Sequence, residues 1–141
     1  MSIQLPESAK MYISKKGLPQ EEILLIKFLA PAEFYTIEFN SKEYLTVAIE
    51  DDINHIGIDE KGCVFLLAEE VAYLSNSFIQ FIELMEAYKS LPVLPVNCSE
   101  NQLLQQADAF GKKIRETDES VLKNPESFWS VILEQVADGL L

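Results

Sequence analysis

Histidine and cysteine, the side chains that most often build metal sites and covalent active sites, are scarce in this sequence. Its 141 residues include one histidine, His55, and two cysteines, Cys63 and Cys98. A site with several histidine ligands is therefore excluded within the chain, and no calcium-loop spacing of the D-x-[DN]-x-[DN]-G type occurs. Two widely separated cysteines predict no structural disulfide, which is typical of a cytoplasmic protein. We expect no metal and no cofactor.

Basic residues and long apolar runs are also few. Eleven Lys and Arg residues stand against 23 Asp and Glu residues, which gives a net charge of −12. This charge disfavours direct binding to nucleic acid or to an anionic membrane, and it favours a partner protein with a basic surface. No run approaches the roughly 20 apolar residues of a membrane span. The N-terminus also lacks the pattern of a secretory signal.

A short helix that ends at Gly17 is the first element that the sequence predicts. Pro6 suits its first turn, and Ala9, Tyr12 and Ile13 form a short apolar stripe. Gly17 can adopt the left-handed conformation that closes a helix, and Pro19 cannot continue one. By themselves these residues indicate a helix end and no function.

From Glu22 to Glu70 the pattern predicts strands joined by short turns. Five segments have the length and the β-branched or aromatic content of strands: ILLIKF, FYTIEF, EYLTVAIE, HIGID and CVFLLAEE. Turns are predicted around Asn40–Lys42 and around Glu60–Gly62. Consecutive strands with short connections favour a largely antiparallel sheet.

After Glu70 the pattern is helical. Three pairs predict helix starts, Ser77 with Gln80, Ser99 with Gln102, and Asn124 with Pro125. With 48% hydrophobic residues the chain has the composition of a globular protein. The sequence therefore predicts one α+β domain over residues 1–141, a largely antiparallel sheet of about five to six strands with helices before and after it.

Catalytic chemistry has two weak candidates, His55 and Cys63. A cysteine nucleophile needs a base, and the two residues are eight positions apart across a predicted hairpin. Cys63 is flanked by Gly62 and Val64 in an apolar strand, however, which is typical of an inert buried thiol. The sequence therefore indicates a protein that is not an enzyme.

Carboxylates gather in three patches at predicted strand ends and turns. One interpretation is a solvated rim that keeps the protein soluble, and the other is an electronegative surface offered to a basic partner. Under the second interpretation, aromatic anchors on an exposed sheet face contribute to affinity. The candidate partner-binding residues are Glu50, Asp51, Asp52, Asp59, Glu60, Glu69, Glu70, Tyr35 and Tyr44.

Three stretches together resemble the SUKH superfamily, in particular its fourth subgroup. They are LPESAKMYISKKGLP, HIGIDEKGCVFLLAEEVAYLSNSFIQFIELMEAYKSL and FWSVILEQVADGLL. The positions that match the family motifs are fold-defining rather than catalytic: Gly17, Leu18, Pro19, Gly62, Asn76, Ser77, Trp129, Glu134, Gly139 and Leu140. Leu74 and the proline-rich linker from Leu91 to Asn97 depart from the pattern.

The resemblance implies a function of binding. Members of this subgroup are mostly bacterial immunity proteins, which bind and neutralise a co-encoded polymorphic toxin, often a nuclease or a nucleic-acid deaminase. The resemblance also leaves open a regulatory interaction module similar to the fungal cell-wall-synthesis regulators of the same superfamily. A small enzyme that uses Cys63 or His55 is the third hypothesis.

Overall fold

Six strands and four α-helices make up residues 3–141, which are the residues that the computed structural model describes. The helices are α1 (Glu7–Lys16), α2 (Phe78–Lys89), α3 (Glu100–Asp118) and α4 (Phe128–Ala137). The strands are β1 (Ile26–Phe28), β2 (Tyr35–Phe39), β3 (Lys42–Glu50), β4 (Asn54–Ile58), β5 (Val64–Leu67) and β6 (Val71–Ser75). Two short 3-10 helices cover Pro31–Glu33 and Glu119–Leu122.

All strand pairings in this sheet are antiparallel. The order is β1-β3-β4-β5-β6, and β2 also pairs with β3. Residues 45–50 of β3 pair with β4, and the same strand pairs with β1 through residues 48–50 and with β2 through residues 42–46. Because one edge of β3 is occupied by β4, both β1 and β2 lie on the other edge. The predicted α+β class and antiparallel sheet are confirmed.

Helices cover one face of the sheet and form the core with it. Trp129 of α4 is fully buried, and its indole Nε1 donates a hydrogen bond of 2.9 Å to the carbonyl oxygen of Leu74 in β6. Phe81 of α2 and Phe110 of α3 are buried in the same cluster. A buried indole needs a partner for its N–H, and the carbonyl of Leu74 supplies it. The matched position Trp129 is thus a core position.

The stop at Gly17 is confirmed. Its N–H donates to the carbonyl oxygen of Ile13 at 2.8 Å, and its φ is 73°. Its ψ of 176° is extended rather than helical, so the chain turns straight out of α1. A positive φ with an extended ψ is a conformation that only glycine adopts easily. Leu18 and Pro19 follow it, half-buried.

The segment ILLIKF is not one strand, and that prediction is wrong. Only Ile26–Phe28 is β-strand, because Leu24 and Leu25 have φ values of 53° and 65° and form a tight turn. Ile23 and Ile26 close this turn with two backbone hydrogen bonds of 3.0 and 2.8 Å. Both isoleucines are buried in the core, one before the turn and one after it. The run is therefore apolar although it is not a single strand.

The five predicted strands omit one, since Val71–Ser75 forms β6 beside β5. Helix α2 begins at Phe78 with Ser77 as its N-cap, which confirms the predicted helix start. The Ser77 hydroxyl accepts from the backbone N–H of Gln80 at 3.2 Å and donates to Gln80 Oε1 at 2.8 Å. The Gln80 amide nitrogen donates to the carbonyl oxygen of Thr117, and the Gln80 side chain does not bond the backbone N–H of Ser77. Half of the predicted capping box is therefore formed. The pair Ser99 and Gln102 forms the complete box.

Helix α4 begins three residues later than predicted. Ser127, not Asn124, is its N-cap, and its hydroxyl accepts from the backbone N–H of Ser130 at 3.2 Å. The Asn124 side chain instead accepts from the backbone N–H of Glu126, which makes a turn before the helix. At the other end Gly139, with φ of 72°, closes α4 through the two hydrogen bonds of a Schellman motif.

Candidate partner-binding surface

The predicted acidic residues lie at two opposite ends of the sheet. The turns β3–β4 and β5–β6 are at one end, and the turn β4–β5 is at the other, because consecutive strands are antiparallel. We call the first the carboxylate-rich end; its members are Glu50, Asp51, Asp52, Glu69 and Glu70. The opposite end holds Asp59 and Glu60. A strand of five residues separates the two ends by about 15 Å, so they do not form one surface.

Four carboxylates of the carboxylate-rich end point into solvent. In the part of the chain that the structure describes, the side chains of Asp51, Asp52, Glu69 and Glu70 are exposed and accept no hydrogen bond. Glu50 differs, because its Oε1 accepts from the Asn54 side chain at 2.9 Å. Four exposed carboxylates close together, with no cation paired to them among the described residues, make this end an electronegative part of the molecule.

Exposed apolar side chains stand among these carboxylates. Ile53 in the β3–β4 turn is 73% exposed, Leu25 is 54% exposed, and Val71 at the start of β6 is 40% exposed. The Leu25 turn is tied to the carboxylates, since the backbone N–H of Asp51 donates to the carbonyl oxygen of Leu25 at 2.8 Å. Apolar contacts inside a polar rim are the usual composition of a protein–protein interface.

The backbone at this end is held in unfavourable conformations. Leu24, Leu25, Asp51 and Asp52 all have φ between 52° and 65°. The left-handed region is disfavoured by about 1–2 kcal/mol for a side chain such as leucine. Such strain persists only where the surroundings maintain it, and it is common at functional sites. The sequence gives no signal for it at Leu24 and Leu25.

Asp59 at the opposite end has a structural role. Its Oδ1 accepts from the backbone N–H groups of Lys61 and Cys63, at 3.0 and 2.9 Å. Gly62 completes the turn with φ of 91°. The carboxylate therefore stabilises the β4–β5 turn and has less capacity for a partner. Glu60 is exposed, and it is flanked by the exposed cation Lys61.

Tyr44 is buried, which corrects its prediction as an exposed anchor. It is only 5% exposed, and its ring meets that of Phe65 edge-on at 6.0 Å. Gly57 makes this possible, since a Cβ there would lie 2.7 Å from the Tyr44 Cβ. Burial, assisted by the negative charge of Asp59, raises the pKa of Tyr44. The residue packs the helix-free face of the sheet.

Tyr35 is the exposed member of the predicted aromatic pair. It is 41% exposed, and its hydroxyl lies 3.1 Å from Nδ1 of His55. The two rings are perpendicular, with centroids 5.8 Å apart. The Thr46 hydroxyl lies 3.5 Å from the same nitrogen. Two hydroxyl groups thus lie within hydrogen-bond distance of His55 Nδ1 on the helix-free face and orient the imidazole.

The candidate pair of Cys63 and His55 is not brought together. His55 is opposite Leu67 in the sheet, four residues along β5 from Cys63, which corresponds to about 13 Å along the strand. Burial and the charge of Asp59 raise the pKa of Cys63, so its reactive thiolate form is disfavoured. The geometry does not support nucleophilic catalysis by this pair.

A buried carboxylate, Asp118, was missed by the sequence reasoning. It is 6% exposed and accepts hydrogen bonds from the backbone N–H of Asn76 at 2.7 Å and from the N–H and hydroxyl of Ser120. The Ser120 hydroxyl also contacts the Tyr73 hydroxyl at 2.7 Å. Asp118 therefore joins the β6–α2 connection to the end of α3. The spacing Asp118-x-Ser120, typical of an Asx turn, was the available signal.

Among residues 3–141, no group of three or more His, Cys, Asp or Glu side chains is arranged to hold a metal ion. In the same range, none of the helices combines the length and the apolar character needed to cross a membrane. No protein-family model, no curated protein and no solved structure matches this chain.

Proposed function

We propose that this protein is an immunity protein of the SUKH type, which binds and neutralises a co-encoded toxin with a basic surface, either a nuclease or a nucleic-acid deaminase. In this proposal the protein acts in the cytoplasm by binding, transforms no substrate and does not itself contact nucleic acid. The support comes from the resemblance of three stretches to the superfamily, from the α+β fold and from the surface at one end of the sheet.

The carboxylate-rich end is the observation that carries the proposal. Its exposed side chains, Leu25 and Ile53, are suited to fill apolar pockets of a partner, and the surrounding carboxylates are suited to pair with Lys and Arg. Central apolar anchors usually contribute most of the affinity, while charges at the rim set orientation and partner choice.

Rigidity supports the same function. The two turns are held by the backbone hydrogen bond between Asp51 and Leu25 and by the sheet beneath them. A surface that is already ordered loses little conformational entropy on binding. An inhibitor that must act before its toxin finds a substrate benefits from such a surface, because association requires no folding step.

Charge explains how binding would inhibit. A nuclease or nucleic-acid deaminase needs a basic groove to hold phosphates. A protein of net charge −12 is attracted to that groove and competes there with nucleic acid. Electrostatic steering can raise association rates by one to three orders of magnitude, and the increase falls as salt is added.

The test is protection by co-expression. Cells that express the toxin encoded beside this gene should survive when this protein is present, and purified protein should bind a catalytically inactive form of that toxin. Leu25→Asn with Ile53→Ser should weaken binding at least about tenfold, since it removes two central contacts. Asn is chosen at position 25 because it tolerates a positive φ.

Two other exposed apolar residues provide the matched control. Met11 and Leu104 are 57% and 53% exposed and lie on α1 and α3. Met11→Ser with Leu104→Ser should leave binding unchanged. Equal loss in both double variants would reject the carboxylate-rich end as the interface. A captured partner that is a non-toxic regulatory protein would reject immunity in favour of the regulatory hypothesis.

A further inference from the structure

The two edges of the sheet differ in how much of the remaining chain contacts them. At the β6 edge, Trp129 bonds the carbonyl of Leu74, and Asp118 bonds the N–H of Asn76. The 3-10 helix Glu119–Leu122 also contacts this strand through Ser120 and Tyr73. At the other edge, β2 pairs with β3 on one side only. Unprotected edges are sites where further strands can pair.

The register of the β2–β3 hairpin identifies which backbone groups of β2 are unpaired. Phe39 and Lys42 close a loop of two residues, Asn40 and Ser41, which both have positive φ. The pair that closes such a loop exchanges both of its hydrogen bonds, and hydrogen-bonded pairs then alternate along the strands. Tyr35, Ile37 and Phe39 therefore point their backbone groups at β3, while Thr36 and Glu38 point theirs outward.

The outward backbone groups of β2 pair with no other segment of the described chain, although Ile3 and Gln4 line the same surface pocket as Glu38. Within residues 3–141, no backbone hydrogen bond outside the hairpin reaches Thr36 or Glu38, and both side chains are exposed. Charged side chains, lysine above all, together with proline and bulges are devices that protect an edge. On the same side of the sheet, β1 carries Lys27 and is followed by Pro31. Strand β2, with the sequence YTIEF, has no lysine, proline or bulge, and Glu38 is its one charged residue.

From this edge we infer that two copies of the protein associate by antiparallel pairing of β2 with β2 about a two-fold axis at Ile37. In this register Thr36 of each copy faces Glu38 of the partner copy, so the outward N–H and C=O groups of both residues are satisfied. Tyr35 faces Phe39 of the partner copy, a favourable aromatic pair. Glu38, the single charged residue of β2, faces the Thr36 hydroxyl of the partner copy and not the partner copy's Glu38.

Strand β2 has only five residues, so the association that we infer is weak. Contacts through five residues fall at or below the low end of protein interfaces, about 1,200 Å² in total, where complexes are weak. Two molecules of net charge −12 also repel each other at long range. We expect a dimer that forms at about 10–100 µM and becomes stronger as salt screens this repulsion.

Salt therefore separates this inference from the proposed function. Binding of a basic toxin weakens with salt, whereas β2 pairing strengthens with it. The inference does not depend on the toxin, since the β2 edge and the carboxylate-rich end are separate surfaces. Either one can fail without the other.

Sedimentation equilibrium of the full chain at rising concentration and at two salt concentrations is the first measurement. Thr36→Pro removes the outward N–H of residue 36 and leaves all hydrogen bonds between β2 and β3 in place. It should therefore weaken dimerisation at least about tenfold, while circular dichroism shows that the monomer is still folded. Thr36→Val keeps the N–H and is the matched control. A protein that remains monomeric at every concentration, or an unaffected dimer in Thr36→Pro, would overturn the inference.

Cysteine cross-linking tests the register in a Cys63→Ser, Cys98→Ser background. Across a two-fold axis at Ile37, the two Ile37 residues form a pair with Cα atoms about 4.5 Å apart, within disulfide range. Ile37→Cys should therefore form a covalent dimer on oxidation. Thr36→Cys, which is offset from its own copy, should not. Equal cross-linking at both positions, or partner binding that uses the edge while no dimer forms, would contradict it.

Discussion

The two acidic turn regions of this protein contain the same residue type and use it in different ways. At the opposite end, Asp59 bonds two backbone N–H groups and builds its own turn. At the carboxylate-rich end, Asp51 and Asp52 accept no hydrogen bond within residues 3–141 and stand in left-handed conformations beside exposed leucine and isoleucine. A carboxylate bonded to its own backbone contributes to folding, whereas exposed carboxylates without hydrogen-bond partners on the protein leave their charge available to the partner that we propose.

Removing the unsatisfied charges should have the largest effect on binding. Asp51→Asn, Asp52→Asn, Glu69→Gln and Glu70→Gln together should lower the association rate with the basic toxin that we propose as the partner at least about thirtyfold at low ionic strength, with little change in stability. Stopped-flow measurements over a salt series would show this.

The matched control removes the same number of charges elsewhere. Glu38→Gln, Glu60→Gln, Glu116→Gln and Glu119→Gln change exposed carboxylates away from that end. Their combined effect should be no more than about threefold, because only distant, screened charges are lost. Equal effects in the two variants would mean that net charge alone governs association and that the carboxylate-rich end has no special role in binding.

The opposite end should respond in stability rather than in binding. Asp59→Ala leaves the N–H groups of Lys61 and Cys63 without their acceptor and should lower the free energy of unfolding by about 1–2 kcal/mol. Asp59→Asn keeps an acceptor oxygen and should lower it far less. Urea unfolding of both variants is the measurement, and an unchanged midpoint in Asp59→Ala would show that the turn does not need this side chain.

Relief of the backbone strain at the carboxylate-rich end should raise the stability of the protein and weaken its binding to the proposed partner. Leu25→Gly relieves a left-handed leucine and should raise the free energy of unfolding by about 0.5–1 kcal/mol after the entropic cost of glycine. The same change removes an exposed contact and should weaken toxin binding. A destabilised Leu25→Gly would instead assign the leucine a role in folding.

Alkaline pH should reveal the buried tyrosine of the helix-free face. Because the pKa of Tyr44 is raised, the folded protein keeps this proton at a pH where the unfolded chain has lost it. The stabilisation is complete below the ordinary tyrosine pKa of about 10 and is lost as pH rises from that value through the raised pKa of Tyr44 in the folded protein. Tyr44→Phe should make stability fall less steeply with pH above about 9, measured by urea unfolding at several pH values.

Local signals predicted much of the fold. The stop at Gly17 and the capping box at Ser99 depend on residues within a few positions of each other, and both are present. The predictions were wrong where one sequence pattern is compatible with two local structures. In the run ILLIKF, the isoleucines before and after a turn are both buried, so a turn has the apolar composition of a strand. Asn124–Pro125 starts a turn as readily as a helix.

The candidate site was predicted in residue type but not in arrangement. Glu50, Asp51, Asp52, Glu69 and Glu70 share one end, whereas Asp59 and Glu60 lie on another, because strand direction decides at which end each turn lies. Tyr44 was expected on the surface and is buried, since a missing side chain at Gly57 lets its ring pack over β4. Neither fact is visible in the composition of the segments concerned.

The sequence by itself determined the charge, the α+β class, the end of α1 and the starts of α2 and α3, because these depend on composition and on contacts between near neighbours. Only the tertiary structure decided which carboxylates are unsatisfied, that Leu24 and Leu25 turn left-handed, and that the β2 edge is open while the β6 edge is covered. Those properties arise from pairings between distant segments, such as Asp51 with Leu25 and Leu74 with Trp129, and local propensity carries no information about them.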